Sequence, residues 1–307
     1  MKDINKKIKR EKLLKQLKSE RVLYLMLFPT ILFFIIFRVF PIFNMRLAFY
    51  KYSSRSAWTF VGLKYFKMIF SSPDFIQIIK NTLTISFMKY ILLFPAFPIF
   101  AILLNELRSR RTRKAVQIIS YLPHFLSWIV IAGVWISMLS VDGSVNQILH
   151  KFGLGESIDF MTSRAWIKWV LYFCEGWRSL GWDSIIYFTA IIAINPSLYE
   201  AAQIDGASRW QMIKSIILPA LVVPMVTMFI LNLGFFLNAG FDQVLNFSND
   251  AVLSSIDILD TYIYRIGIQS GQYSIATAVS LIKGVVGVFL VLFTHFTSKK
   301  LTGKGVW

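Results

Sequence analysis

Few residues in this chain could do chemistry, and they are scattered along it. An apolar stretch from Trp166 to Ile194 carries Glu175, Trp177, Arg178, Trp182 and Asp183. Carboxylates and amides bond hydroxyl groups, and aromatic faces stack on C–H surfaces, so this set could line a path for a polar cargo. Asn232 and Asn238, near the centre and the outer end of a later apolar run, would add amides. Each residue also has a plainer reading. Glu175 and Arg178 are three apart and can pair on one helix face. Trp166, Trp169, Trp177 and Trp182 fit the aromatic belt at a membrane interface. The two asparagines could simply bond neighbouring helices. Lys283 could snorkel or pair and is given no role.

Enzyme chemistry finds little support. His124, His150 and His295 lie far apart and share no ligand spacing, so no metal site is expected. The single cysteine, Cys174, sits in an apolar stretch where a buried thiol is usually inert. No serine comes with an elbow or triad pattern. Gly303-Lys304-Gly305 lacks the strand and helix of a phosphate-binding loop. No cofactor is expected in this chain, and any ATP-driven work needs an ATPase elsewhere.

These side chains must be positioned by membrane helices. Of 307 residues, 56% are hydrophobic and 16% charged, with a mean hydropathy of +0.58. Soluble domains carry about 25% charged residues. A span needs about 20 apolar residues, and six runs qualify: 22–42, 81–104, 115–140, 166–194, 219–241 and 273–296. The first is too long for the core of a signal peptide and lacks a cleavage site, so it is read as retained. Arginine and lysine number 19 in 1–21, 105–114, 195–219 and 297–307, against nine in 43–80, 141–165 and 242–272. That bias places both termini in the cytoplasm, and an even number of spans agrees. The net charge of +17 is therefore a topology signal, and no nucleic-acid partner is expected. Residues 1–21 read as a basic amphipathic segment on anionic lipid, followed by one membrane domain over 22–307. The stretch 43–80 should hold short interfacial helices. Pro95, Pro98 and Pro224 are expected to kink their helices.

The loop 195–219 is not a simple connector. Ser197 with Glu200 has capping-box spacing, and Asn195 before Pro196 is an alternative cap. Gly206 can take the left-handed turn that ends a helix. Ser208 with Gln211 opens a second capping box, and Pro219 marks the next break. Two short helices around a tight turn are predicted, with Ala201 and Ala202 small enough for a close approach.

Glu200-Ala201-Ala202, Asp205-Gly206-Ala207 and Ile216-x-Leu218-Pro219 resemble the EAA loop of ABC importer permeases. Ile213 stands where many members have Phe. Phe60-Val61-Gly62-Leu63 with Tyr65-Phe66, and Tyr121-Leu122-Pro123, resemble the carbohydrate-uptake branch. Asp257–Arg265, Tyr273-Ser274 and the tail Gly305-Val306-Trp307 resemble its oligosaccharide and polysaccharide subgroup. The resemblance spans about 20–307.

It implies an all-α, six-span type I permease in a bacterial cell membrane, itself no enzyme. It also implies a cytoplasmic coupling helix in which Glu200 meets an arginine of an ATPase. The implied partners are a second homologous permease, two ABC ATPases holding ATP and Mg, and an external solute-binding protein that delivers a carbohydrate. Two rivals are a secondary transporter, which should show paired broken helices, and a membrane transferase, which should show clustered carboxylates or histidines.

Overall fold

The computed structural model describes residues 19–153, 155–234 and 236–302. Most of the basic N-terminal segment and the tail motif Gly305-Val306-Trp307 lie outside the described residues. Helix α1, Arg21–Phe34, continues helically to Phe43 through a π turn at Ile35–Val39, just before Pro41. It buries none of its side chains among the described residues. A helix that is apolar all round and uncovered belongs in lipid or against another subunit.

The stretch 43–80 folds as expected into short elements. A 3-10 turn (Asn44–Phe49) leads to a two-residue hairpin pairing Tyr50 with Phe60, and then to α2, Lys64–Phe70. The hairpin is the one departure from an all-helical chain among the described residues. It is tied to the last helix at Ser274, whose hydroxyl donates to the Tyr50 carbonyl (2.7 Å) and accepts from the Tyr52 N–H (3.0 Å).

Pro73 starts the long helix α3, Pro73–Glu106, where its missing N–H costs nothing. Asn81 pins this helix to the 253–257 segment, donating to the carbonyls of Ser254 (2.9 Å) and Asp257 (3.2 Å). The third predicted span needs correction. Residues 115–140 do not form one helix: α4, Arg110–Tyr121, stops at a 3-10 turn over Leu122–Phe125, and α5, Trp128–Leu139, starts afresh. Pro123 cannot continue the hydrogen-bond ladder, and Ser127 caps the new helix by accepting from the Val130 N–H. The apolar segment that can cross runs from Trp128 to Lys151 and includes α6, Ser144–Lys151.

Helix α7, Ile167–Ile192, matches the fourth span, and α8, Pro196–Ile204, follows at a bend of 66°. Helix α9, Arg209–Met212, leads through a π turn (Ile213–Ile217) into α10, Leu218–Gly234. The fifth span thus ends before the predicted Phe241. Residues 238–240 are not helical, and α11, Phe241–Phe247, begins after Gly240. Helices α12 (Leu253–Ile256) and α13 (Leu259–Tyr264) precede the last span, α14, Tyr273–Thr302.

Three apolar clusters hold this together. One joins α3, α5 and α7 to α11 around Ile85, Leu171 and Phe247. A second seats Phe75 and Ile78 of α3 against Ala278 and Val279 of α14. The third, around Leu104, Tyr187, Ile191 and Leu221, lies under the 195–219 loop.

Candidate functional site

Two regions emerge. The first is the loop between α7 and α10. Asn195, not Ser197, caps α8: its side chain accepts from the Ser197 N–H at 3.1 Å, with Pro196 at the first helical position. The predicted Ser197–Glu200 capping box does not form. The helix ends in a complete Schellman motif, with Ala207 N–H to Ala202 O (2.8 Å) and Gly206 N–H to Gln203 O (3.1 Å). Gly206 has φ +75°, which a residue with a Cβ adopts only at a cost. The second capping box is present, with the Ser208 N–H donating to Gln211 Oε1 (2.6 Å) and the Gln211 N–H to Ser208 Oγ (3.4 Å).

The loop is therefore stiff at both helix ends. It is anchored from one side only. Tyr199 and Ile213 rest on the apolar cluster beneath. Burial, and then the Glu106 carboxylate, push the Tyr199 phenol above its ordinary range. Arg209 reaches Glu106 at 3.9 Å, an exposed and weak pair. The opposite side presents Leu198, Ile204 (87% exposed) and Trp210 to the outside. Glu200 is exposed and makes no hydrogen bond or ion pair among the described residues. Ala201, Asp205, Leu218 and Pro219 are exposed as well, while Ala202 and Ala207 are half-buried.

The second region is a cavity of about 350 Å³ between α3, α7 and the end of α10. Of the six residues expected on a cargo path, Glu175, Asp183, Asn232 and Asn238 line it. The tryptophans do not. Trp177 packs edge-on against Trp135 (5.7 Å), and Trp182 stacks flat on His124 (4.4 Å) beside Phe125. The predicted Glu175–Arg178 pair is also absent. Arg178 donates to the His124 carbonyl (3.3 Å) and lies over the Trp128 ring (5.0 Å).

Glu175 pairs instead with Lys89 of α3 at 2.9 Å. The Lys89 ammonium has three protons, and three acceptors meet it: Glu175, the Ala239 carbonyl (2.8 Å) and Gln243 Oε1. Gln243 in turn donates to the Leu171 carbonyl (2.7 Å). One ammonium thus ties α3, α7 and the α10–α11 connection together. Gly240 makes the approach possible: it has φ +98°, and a Cβ there would meet Lys89 Nζ at 2.8 Å.

Much of the rest of the lining is aromatic, from Tyr90, Phe94, Phe97, Trp128, Tyr187 and Phe236, and Phe229 packs behind it. Tyr90, Phe94 and Phe229 form one aromatic group with ring centroids 5.2–5.7 Å apart. The Ser86 and Ser179 hydroxyls are buried and have no hydrogen-bond partner among the described residues. Asp183 lines the cavity as well, with the charge of Arg178 acting on it. A shallower pocket shares Asn238 and Gly240 with this cavity. There Lys283, given no role from the sequence, bonds both Asp260 oxygens (2.6 and 2.8 Å) and Asn238 Oδ1 (2.8 Å).

The profile of the family described as "Binding-protein-dependent transport system inner membrane component" matches residues 97–302. The chain belongs to that family. It is 37% identical to the polygalacturonan/rhamnogalacturonan transport system permease protein YteP of Bacillus subtilis, over 99% of this chain and 96% of that one. It is 36% identical to protein LplB of the same organism, over 87% of this chain and 85% of that one. A chain from the crystal structure of a bacterial ABC transporter involved in the import of the acidic polysaccharide alginate superposes with a TM-score of 0.88. That match has 39% identity and covers 95% of this chain and 99% of the other. A second match of equal score comes from that transporter in complex with an alginate pentasaccharide-bound periplasmic protein. The fold is that of an ABC importer permease, and the chain is a multi-pass membrane transport subunit rather than an enzyme.

Within this permease, sequence reasoning missed Lys89, Gln243, Tyr90, Phe94 and the two buried serines. Lys89 did carry a signal, being a charge inside an apolar run, where such a charge demands a partner. The partner's identity carried none, because it lies 86 positions away.

Proposed function

We propose that this permease forms half of an ATP-driven import path for an oligosaccharide, with the 195–219 loop taking up force from a cytoplasmic ATPase. The observation that carries the reading is the one-sided anchoring of α8. Its inner side rests on the membrane core, its ends are capped, and its outer side, with Glu200 and Ile204, has no cover among the described residues, like the neighbouring Trp210 of α9. A stiff helix seated in a groove transmits motion, whereas a loose loop would absorb it.

In this reading both termini and α8 lie in the cytoplasm, as the arginine and lysine bias supports. Two ATPase subunits supply ATP, Mg and hydrolysis, and Glu200 meets a cationic side chain of one of them. A second homologous permease completes the path, and an external solute-binding protein delivers the cargo. ATP-driven closure of the ATPases moves the α8 helices and opens the path outward; hydrolysis resets it. The relatives named for carbohydrates support the cargo class, as do the aromatic group and orphan hydroxyls of the cavity.

The test is a reconstituted complex carrying Glu200→Ala or Gly206→Val. Uptake is expected to fall while ATP hydrolysis continues and the chain still inserts. Unchanged uptake in both variants would overturn the reading.

A further inference from the structure

We propose that the outward face of α4 is a binding site for an anionic phospholipid. The inference depends neither on the cargo nor on the ATPase reading above. One side of α4 is fixed by its seating. Ser120 lies so close to α7 that a Cβ on Gly181 would collide with the Ser120 carbonyl. Val116 packs into the apolar cluster around Leu104 and Tyr187. Arg113 Nη2 donates to the carbonyls of Asn105 (3.1 Å) and Leu107 (2.8 Å) at the end of α3. These residues are half-buried, and the helix cannot turn them outward without losing the contacts.

The opposite face changes character along its length. Its first turn presents Arg110, Arg111 and Lys114, all exposed and with no side-chain hydrogen bond or ion pair among the described residues. No acidic residue occurs between Glu106 and Asp142, and Glu106 faces Arg209. The same face continues, at helical spacing, as Ile118, Ile119 (71% exposed) and Leu122. The two halves are centred about 12 Å apart along the axis. An ion or an acidic protein surface would answer the cations and leave the isoleucines bare. A lipid answers both, with its phosphate at the cations and its chains on the apolar half. A net negative headgroup is favoured because three cations share the site and each adds to the attraction.

The test uses the whole assembly, this permease with its partner subunits, in nanodiscs holding equal amounts of phosphatidylglycerol and phosphatidylcholine. One lipid at a time carries a diazirine near the head of an acyl chain. After illumination, mass spectrometry reads the labelling of residues 115–125, so that lipid held elsewhere does not count. Both lipids have the phosphate, but choline cancels its charge. Phosphatidylglycerol should therefore label this stretch more heavily by about tenfold or more, and added salt should narrow the ratio. Arg110→Gln with Arg111→Gln and Lys114→Gln should bring it within about twofold. Glycerophosphoglycerol, the headgroup without chains, should not displace the label at matched concentration. A wild-type ratio near one overturns the inference, and loss of the ATPase subunits from the triple variant would then assign the surface to an acidic protein face. An unchanged ratio in the assembled variant overturns it too, as does displacement by the bare headgroup, which would leave only an anion site. If the variant does not assemble, the wild-type ratio and its salt dependence decide.

Discussion

From Asn195 to Gln211 the contacts that cap the helices of the 195–219 loop join residues two to five positions apart. At Lys89, by contrast, the ammonium joins atoms 86, 150 and 154 positions away. The loop is a local structure with an uncovered outer side. The cavity exists only once three distant pieces of chain have met. Damage should therefore be confined in the first region and should spread in the second.

The largest effect is expected at the ammonium. Lys89→Leu leaves Glu175 with a buried charge and no cation, at a cost of about 3 kcal/mol or more. Thermal unfolding in detergent should register it, and uptake should collapse. Lys89→Leu combined with Glu175→Leu should regain much of that stability without regaining uptake. A double variant no more stable than the single one would show that the pair does not hold the helices.

Gly206→Val comes next. Forcing a β-branched residue into the left-handed turn costs about 1–2 kcal/mol. The damage should stay in the loop: hydrogen exchange should rise over 196–212 and not around Lys89. Spread to the cavity would remove the contrast between the regions. Asn195→Ala removes one cap and should cost about 1 kcal/mol, with a partial loss of coupling between ATP hydrolysis and uptake.

The smallest stability effects sharpen the comparison most. Ser179→Ala deletes a hydroxyl that bonds nothing among the described residues, so stability should be unchanged or slightly higher. Cargo binding should weaken, as an NMR titration of the reconstituted complex with a neutral oligosaccharide would show. Glu200→Ala should alter unfolding by less than about 0.5 kcal/mol yet strongly uncouple hydrolysis from uptake. A large stability loss there would mean that Glu200 serves its own helix after all.

The same division explains what could be read in advance. Gly206, Ser208 and Gln211 take their expected places because caps and left-handed turns depend on neighbours a few residues away. Asn195 and Ser197 both offered an oxygen for the α8 cap, and Pro196 at the first helical position favoured Asn195. The break in the third span was marked by Pro123, but apolar content alone ran across it. The Glu175–Arg178 spacing correctly put both side chains within reach along one helix. It could not reveal that Glu175 turns to Lys89 and Arg178 to His124, since spacing along one helix says nothing of what the neighbouring helix offers.

The sequence by itself determined that the chain lives in a membrane, that its spans are joined by a stiff capped loop, and which residues form that loop. Hydrophobic length, charge bias and capping chemistry are local or additive properties. Only the tertiary structure decided which charge neutralises which, that Gly240 admits the ammonium, and that Ser86 and Ser179 find no partner among the described residues. In a low-dielectric interior a charge must find a counter-charge, and the choice depends on which helices come together rather than on the order of residues along any one of them.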